Sequence, residues 1–342
     1  MIEYLVILKG HNKDLAKAEL ECLWYTYFKE KISLNNIKNV LYNFKSKYEV
    51  NSSMEIFQRI TYTNLFVKKI FQAENIKDFK NQIKKTDLSI YNNKKFLVRI
   101  KKSKTNLKTF YNQIELSKPI WESLTNPQVS LFNPDIEFDF LFTNQTSNFI
   151  FTQKIFENKK EYLTRMPIKR PISMPYTLKS DMSRCAINLL QIKKGLVLDP
   201  FCGIGGILLE AYDMNFQIVG NDISWNDLKY FQQNFNYFFK NKISPIILSD
   251  STKQFLKENT IDGIVTDIPY GKCSRKLGKD LYENFLKNAA IYLKPNKRII
   301  IIYANFVEFK DIAKKYFNEI LEIEEYINKS MTRKILVLEN SK

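Results

Sequence analysis

The chain has 342 residues and a formal net charge of +17, from 53 Lys or Arg against 36 Asp or Glu. That length exceeds one average domain, so we expect two folded units. The positive charge favours a polyanionic partner such as nucleic acid, although a proteome rich in Lys, Asn and Ile would produce the same excess. Residues 1–160 hold 26 basic and 16 acidic side chains, and the rest holds 27 and 20, so the N-terminal part is the more basic.

The cysteines and the single histidine argue against a metal site. Cys22, Cys185, Cys202 and Cys273 are far apart, and His11 offers them no paired ligand spacing. The sequence has no run of twenty apolar residues and no N-terminal basic-then-apolar signal. We expect reduced thiols, a cytoplasmic location and no membrane association.

The first fifty residues predict a small α+β unit. Residues 2–8 read as a buried strand, and apolar residues at helical spacing predict a helix over 14–28. Residues 38–44 alternate weakly and predict a second strand.

The pattern changes near residue 53. The amphipathic run 55–72 predicts a helix, and residues 106–124 predict a helix or helix pair interrupted at Pro119, because proline removes an amide donor. The remaining segments predict strands: 95–101, 135–142 and 148–156, the last two joined as a hairpin.

A proline-rich linker follows at 161–177. Three prolines between Arg165 and Tyr176 favour an extended, stiff connection. Its basic side chains and those near a later motif are candidates for substrate binding: Arg165, Lys169, Arg170, Arg275 and Lys276.

From residue 178 strands alternate with helices, which predicts an α/β fold with a doubly wound, mostly parallel sheet. The predicted strands are 195–200, 217–222, 244–249, 261–267, 298–304, 321–328 and 333–339. The predicted helices are 178–193, 204–213, 225–240, 279–293 and 306–317. The closing pair of adjacent strands distinguishes a seven-stranded class I methyltransferase sheet from a dinucleotide-binding one.

The first motif, Gly195-Leu-Val-Leu-Asp-Pro-Phe-Cys-Gly-Ile-Gly-Gly206, ends a strand at a carboxylate and opens into glycines. In such a sheet ligands bind at the carboxyl ends of the strands, and glycines allow close approach of the backbone. The absence of Gly-x-Gly-x-x-Gly disfavours a dinucleotide, and a merely structural glycine turn is the other alternative; together with the later motif at residues 265–271, this segment predicts S-adenosylmethionine binding. The cofactor-binding candidates here are Asp199, Phe201, Cys202, Gly203 and Gly205.

Two further strand ends carry carboxylates. Asp222, about twenty residues after the glycine turn, is placed to accept the ribose hydroxyls, with Ile223 beside it. Asp250 is placed to accept a hydrogen bond from the adenine amino group. Either aspartate could instead cap a helix, a common role for Asp after a strand.

The motif Asp267-Ile268-Pro269-Tyr270 ends the fourth strand and supplies the catalytic candidates. A carboxylate and a main-chain carbonyl can accept the two hydrogens of an aromatic amine and orient its lone pair for methyl transfer. Tyr270 can stack on the base, and Asp267 can take the departing proton. The alternative is an ordinary strand-to-loop exit.

These motifs resemble the THUMP-containing RNA guanine-N2-methyltransferases, most of all the archaeal-type enzymes acting on guanosine 10 of tRNA. The resemblance is carried by Arg170-Pro-Ile-Ser-Met-Pro175, Arg184-Cys-Ala-Ile-Asn188, Asp199–Gly206, Asp222 and Asp267-Ile-Pro-Tyr-Gly271. More loosely, Gly10–Glu21 resembles the family's ferredoxin-like module, and Asn133-Pro-Asp-Ile-Glu137 the end of a THUMP domain. The family usually has Asp-Pro-Pro-Tyr, so Ile268 is a departure; it supplies the same main-chain carbonyl.

The resemblance implies four segments and an RNA substrate. We expect a ferredoxin-like module over 1–50, a THUMP RNA-binding domain over 51–160, the linker, and a Rossmann-like methyltransferase domain over 178–342. It implies S-adenosylmethionine-dependent methylation of the N2 amine of a tRNA guanosine, with one or two methyl groups added. It also implies a monomeric catalytic unit, with a small activating protein subunit as a conceivable partner.

Other readings remain open at this stage. Within the class, the target could be guanosine 6 of tRNA or a ribosomal RNA. From another class, the chain could be a cofactor-binding RNA-binding protein without turnover, although an intact Asp267 and Tyr270 argue against it. A DNA methyltransferase is disfavoured because no base-specificity domain is visible.

Overall fold

The computed structural model describes residues 1–102, 111–142, 148–175, 177–240, 242, 244–270 and 278–341. Contacts between backbone positions divide the chain into two compact units. The N-terminal unit comprises 1–13, 30–57 and 63–158, and the C-terminal unit comprises 14–29, 58–62 and 159–342. No helix of the described residues is long and apolar enough to cross a membrane.

The N-terminal unit is built on one eight-stranded sheet in the order β2-β3-β1-β4-β8-β7-β5-β6. Its pairings are antiparallel except those of β5, which runs parallel to β6 and β7. Its strands are β1 (Ile2–Leu8), β2 (Asn35–Lys38), β3 (Leu41–Ser46), β4 (Thr63–Ala73), β5 (Lys95–Lys102), β6 (Gln128–Val129), β7 (Ile136–Phe142) and β8 (Phe149–Glu157). Since β4 pairs with both β1 and β8, a single sheet joins strands from the two predicted N-terminal modules. The ferredoxin-like and THUMP identities themselves stay predictions.

One face of this sheet packs a core of phenylalanines. In β7 and β8 the alternation of side chains puts Phe138, Phe140 and Phe151 on that face, where each is buried. Phe79 meets them edge-on, with its ring centroid 5.3 Å from that of Phe140 and 5.4 Å from that of Phe151. Phe79 belongs to α3 (Ile76–Ile83), and α4 (Gln113–Ser123) contributes buried Leu116 to the same core.

The helix predicted over 55–72 is wrong. The structure has a short α2 (Glu55–Arg59) followed by the central strand β4. The apolar residues of β4 fit a helical period, but β4 pairs with β1 over residues 63–68 and with β8 over residues 65–73. Tertiary pairing therefore overrides the local pattern.

Two predictions around prolines also need correction. Pro119 lies inside α4 and is buried, so it does not interrupt this helix; residues 103–110 of the predicted segment lie outside the described residues. The carbonyl of exposed Glu115, which loses its helical donor, can bind water instead. The predicted extended linker contains two short 3₁₀ helices, Glu161–Arg165 and Pro167–Lys169, the second begun by proline at its first position.

The C-terminal unit is built on a seven-stranded sheet in the order β11-β10-β9-β12-β13-β15-β14, antiparallel only at β15. Its strands are β9 (Leu196–Asp199), β10 (Gln217–Asp222), β11 (Ile246–Leu248), β12 (Gly263–Asp267), β13 (Arg298–Ala304), β14 (Asn318–Asn328) and β15 (Met331–Glu339). Its later helices are α5 (Ser180–Leu189), α6 (Gly206–Asp213), α7 (Trp225–Phe238), α8 (Gly278–Tyr292) and α9 (Lys310–Ala313). This confirms the predicted class I methyltransferase fold; the last helix is shorter than the predicted 306–317.

One helix from the beginning of the chain belongs to the C-terminal unit. Helix α1 (Lys13–Phe28) carries Glu19, which is fully buried. Its carboxylate accepts hydrogen bonds from the Tyr62 amide at 2.7 Å and from Nδ2 of Asn188 in α5 at 2.8 Å. These bonds satisfy a carboxylate that would be costly to bury without partners. The sequence order of the segments therefore differs from their grouping in space.

Candidate active site

Three carboxylates end three neighbouring strands of the C-terminal sheet. Asp199, Asp222 and Asp267 are the last residues of β9, β10 and β12. The chain runs outward from β9 through β10 to β11 and then returns to β12 on the other side of β9. Such a reversal opens a crevice at the carboxyl ends of the strands, where doubly wound folds bind ligands.

The glycine turn between β9 and α6 forms one wall of this crevice. Gly203 and Gly205 have φ angles of +49° and +86°, which favour glycine, and a Cβ on Gly205 would lie 2.0 Å from the Phe231 ring. Phe201 packs edge-on against Phe285 at 5.0 Å. Cys202 is buried, and burial raises the pKa of its thiol well above the usual value, so it is a small loop residue and not an activated thiol.

Asp199 is buried beneath the turn. Its Oδ1 accepts hydrogen bonds from the Thr266 hydroxyl at 2.8 Å and the Phe201 amide at 3.2 Å. Burial raises the pKa of Asp199 to about 8, and the charges of Asp222 and Asp267 add to that rise. With only neutral donors bonded to it, this carboxyl is poised to gain from a nearby positive charge.

Asp222 and Ile223 begin the loop after β10. The Asp222 oxygens accept hydrogen bonds from the amides of Gly203 at 2.8 Å and Ser224 at 2.9 Å. Burial raises the pKa of this carboxyl. Ile223 is 70% exposed although apolar, and so presents a hydrophobic surface beside the carboxylate. Each carboxylate oxygen can accept a further hydrogen bond, so both the loop-supporting and the ligand-binding interpretation fit Asp222.

Asp250 follows β11 and is half-buried. Its Oδ1 accepts hydrogen bonds from both the amide and the hydroxyl of Thr252, at 2.9 and 2.8 Å. These bonds stabilise a turn, and no helix begins here, so the helix cap that was the alternative to adenine recognition is not what the structure shows at Asp250.

The four residues of the motif at β12 lie in contrasting surroundings. Oδ1 of Asp267 is buried and has no hydrogen-bond partner within the described part of the chain; burial raises the pKa of this carboxyl to about 7. Ile268 packs in the core, which explains why an apolar residue is accepted there. The Pro269 carbonyl accepts a hydrogen bond from Tyr282 at 2.9 Å, which anchors the loop. The Tyr270 ring meets the exposed Phe306 edge-on at 6.2 Å.

Sequence analysis missed Arg333, which the structure brings to this motif. It lies on β15 and interacts electrostatically with Asp267 and Tyr270. The only available signal was an arginine in the strand 331–339, and its distance from the motif in sequence hid the contact.

The predicted RNA-contacting residues are placed unevenly. Arg165 and Arg170 are only 9% and 5% exposed. Arg165 donates to Glu210 at 2.9 Å and to Asp213 at 2.6 Å, and Arg170 donates to the Arg165 carbonyl at 2.9 Å. Burial lowers the pKa of Arg170 to about 10. Because both guanidinium groups are buried and bonded within the protein, they are not placed to contact phosphate. Lys169 is exposed, and Arg275 and Lys276 lie outside the described residues.

The sheet order, the glycine turn and the carboxylates that end β9, β10 and β12 define a class I methyltransferase. The fold is similar to that of the crystal structure of TrmN from Thermus thermophilus, with a TM-score of 0.50 and 15% identity over 99% of both chains. Residues 167–334 match the RMKL-like methyltransferase domain family.

Curated relatives narrow this class. A probable tRNA (guanine(10)-N2)-dimethyltransferase from Methanothermococcus thermolithotrophicus is 32% identical over 167 residues, covering 46% of this chain and 96% of the relative. The tRNA (guanine(10)-N2)-dimethyltransferase of Methanothermobacter thermautotrophicus is 28% identical over 99% of both chains. The chain belongs to the tRNA (guanine(10)-N2)-dimethyltransferase family and is a methyltransferase.

Proposed function

We propose that this protein transfers a methyl group from S-adenosylmethionine to the exocyclic N2 amine of guanosine 10 in tRNA. The observation that carries the proposal is the Asp267 carboxylate, buried at the end of β12 with an oxygen that no described residue bonds, beside Tyr270. A buried acceptor without a partner is costly, so it is expected to have a ligand partner. The names of the relatives supply the target nucleotide.

The residues at the crevice fit S-adenosylmethionine. The left-handed turn at Gly203 leaves open space where a Cβ would lie, so the backbone can approach a ligand closely. We assign the ribose hydroxyls to Asp222, the adenine ring to Ile223 and its amino group to Asp250. When bound, the cofactor supplies an electrophilic methyl group on a positively charged sulfur. Asp199, surrounded by neutral donors, is suited to the positive charges of such a ligand.

The motif at β12 fits the guanine edge. Guanine presents N1–H and N2–H side by side, two donors that match the two oxygens of a carboxylate. Asp267 can accept both, and the main-chain carbonyl of Ile268 can accept the second amine hydrogen. An asparagine at 267 would turn one acceptor into a donor. As the nitrogen gains the methyl group it must lose a proton, and a carboxyl with a pKa of about 7 is a competent acceptor near neutral pH.

A guanine within a stem cannot reach this site while it is paired. It must be flipped out or its stem opened, and stacking on Tyr270 would compensate part of that cost. We assign capture of the tRNA to residues 1–160, the more basic part of the chain, together with exposed Lys169. We propose a monomeric catalytic unit that acts in the cytoplasm, with an activating subunit as an open possibility.

The test is methylation of defined transcripts. Unmodified tRNA is incubated with methyl-labelled S-adenosylmethionine and digested, and the nucleosides are identified by mass spectrometry. We expect N2-methylguanosine or N2,N2-dimethylguanosine in wild-type tRNA and none in a matched transcript with adenosine at position 10. Label on guanosine 6, or on ribosomal RNA alone, would overturn the choice of target. Cofactor binding without transfer to any RNA would favour the non-catalytic alternative.

A further inference from the structure

We propose that Arg333 is a positioning residue of the methyl-transfer site, which reaches across β13 to orient the Asp267 carboxylate and the Tyr270 hydroxyl while Glu325 holds its guanidinium. The inference rests on the proposed function, since it concerns the same reaction. It gives a task in catalysis to the antiparallel strand pair β14 and β15, in which sequence analysis identified no functional residue.

The sheet register puts Arg333 on the face that carries Asp267. Asp267 pairs with Ile302 of β13, and Ile302 pairs with Ile335 of β15. Two residues further toward the carboxyl edge, Ala304 pairs with Arg333. Because side chains alternate along a strand, all five residues point to one side of the sheet. The side chain of Ala304, the partner of Arg333 on β13, is a single methyl group, so a long arginine side chain can extend past it.

The contacts follow this geometry. Arg333 donates from its Nη1 to Glu325, its direct partner on β14, at 3.0 Å. Its positive charge also interacts with Tyr270. Its side chain is 15% exposed and that of Glu325 is 14% exposed. The Nε of Arg333 is buried and has no hydrogen-bond partner in the described ranges. The same is true of Oδ1 of Asp267. Arg333 and Asp267 attract each other electrostatically, and each has one buried atom, a donor in Arg333 and an acceptor in Asp267, that forms no hydrogen bond within the described residues.

This arrangement differs from a purely structural ion pair. Arg333 has two buried carboxylates near it, and one of them ends the strand of the catalytic motif. Its positive charge opposes the rise that burial imposes on the pKa of Asp267. Without that charge, the carboxylate would more often be protonated and would lose an acceptor for the amine. Glu325 fixes the guanidinium and also moderates its charge.

The experiment compares pH profiles of methyl transfer. Wild type, Arg333→Met, Arg333→Lys and Glu325→Gln are assayed in single turnovers on one tRNA transcript from pH 5.5 to 9. Lys334→Met serves as the matched control, because Lys334 is the next residue on β15, points to the opposite face and pairs with Glu322 and Glu324. Calorimetry with S-adenosylmethionine tests whether each variant retains its cofactor site.

We expect Arg333→Met to lower the limiting rate about tenfold or more and to move the acidic limb up by about one pH unit. Arg333→Lys should restore the limb, because it keeps the charge, but not the full rate, because an ammonium lacks the planar fork. Glu325→Gln should move the limb in the opposite direction, to lower pH. Lys334→Met should match the wild type, and cofactor affinity should stay within about threefold throughout.

A wild-type pH profile in Arg333→Met, or a change confined to the KM for tRNA, would overturn the inference. If that variant does not fold, an unshifted or upward-shifted limb in Glu325→Gln overturns it equally. If the wild type methylates no RNA, the proposed function is wrong, and this outcome does not decide the role of Arg333.

That role is then tested by carbon NMR of labelled aspartates, with Asp267→Asn to assign the signal. If Glu325→Gln leaves the pKa of Asp267 unchanged, Arg333 does not position the carboxylate as proposed.

Discussion

Two clusters of buried acidic groups in the C-terminal unit contrast in their partners. On α6, Glu210 is fully buried, and with Asp213 it binds the guanidinium groups of Arg165 and Arg184 at 2.6 to 3.4 Å. At the carboxyl edge of the sheet, the donors that bond Asp199 among the described residues are a hydroxyl and an amide.

The contrast distinguishes carboxylates that stabilise the fold from carboxylates that are available to bind a ligand. A carboxylate enclosed by arginines has its compensation within the protein and gains nothing from a ligand. Burial raises the pKa of Asp199 and of Asp267, because no bonded cation of the described residues offsets it, and such a carboxylate gains from binding a cation or a donor. The predictions below test this division.

The largest expected effect is on stability. Glu210→Ala removes the fully buried one of the two carboxylates that Arg165 and Arg184 share and leaves Asp213, so it should lower the free energy of unfolding by about 3 kcal/mol or more. Urea denaturation measures it, and Glu258→Ala, which removes an exposed carboxylate, is the control. A loss below about 1 kcal/mol would mean that the cluster does not stabilise the fold as described.

The next effect is on rate. Asp267→Asn should reduce single-turnover methyl transfer about 100-fold or more, because it replaces an acceptor for the amine by a donor, while cofactor affinity stays nearly unchanged. Asp262→Asn is the matched control on the same segment, since Asp262 precedes β12 and pairs with Lys294 at 2.7 Å. Near-wild-type rates in Asp267→Asn would remove this residue from the mechanism.

A smaller effect is expected on cofactor binding. Asp222→Ala should raise the dissociation constant for S-adenosylmethionine about tenfold, through lost ribose hydrogen bonds. Calorimetry on this variant and on Asp227→Asn, a carboxylate in the first turn of α7, separates a ligand contact from a general charge effect. Unchanged affinity would assign Asp222 to loop support through Gly203 and Ser224 alone.

The smallest effect concerns pH. The pKa of Asp199 is about 8 in the folded protein against 3.8 in its ordinary state, so the folded protein binds its proton more tightly than the unfolded chain. Its contribution to stability is therefore complete at low pH and is lost as pH rises toward 8. From pH 7 to 8 the free energy of unfolding should fall by about 1 kcal/mol more in wild type than in Asp199→Asn. Parallel denaturation curves for both proteins would contradict the raised pKa.

Much of the C-terminal fold could be predicted because its strands and helices carry strong local signals. The predicted and observed bounds of β10 agree. The turn after β9 was predicted from its glycines, because a left-handed backbone favours glycine. The segment that forms α2 and β4 was predicted as one helix. Its apolar residues fit both the helical and the strand period, and only the pairing partners decide between the two. The burial of Arg165 was hidden for a similar reason: an arginine in a proline-rich linker is expected to be exposed, but carboxylates about 45 residues away bury this one.

The sequence by itself indicated the class of chemistry, because Asp199, Asp222 and Asp267 end three strands of the sheet, and strand ends are local features. Only the tertiary structure decided which distant residues complete it. It placed α1 in the C-terminal unit through Glu19 and Asn188, and it brought Arg333 to Asp267. A buried polar group bonds to the groups that the fold brings near it, and these are often distant along the chain. Its partners therefore cannot be predicted from the sequence.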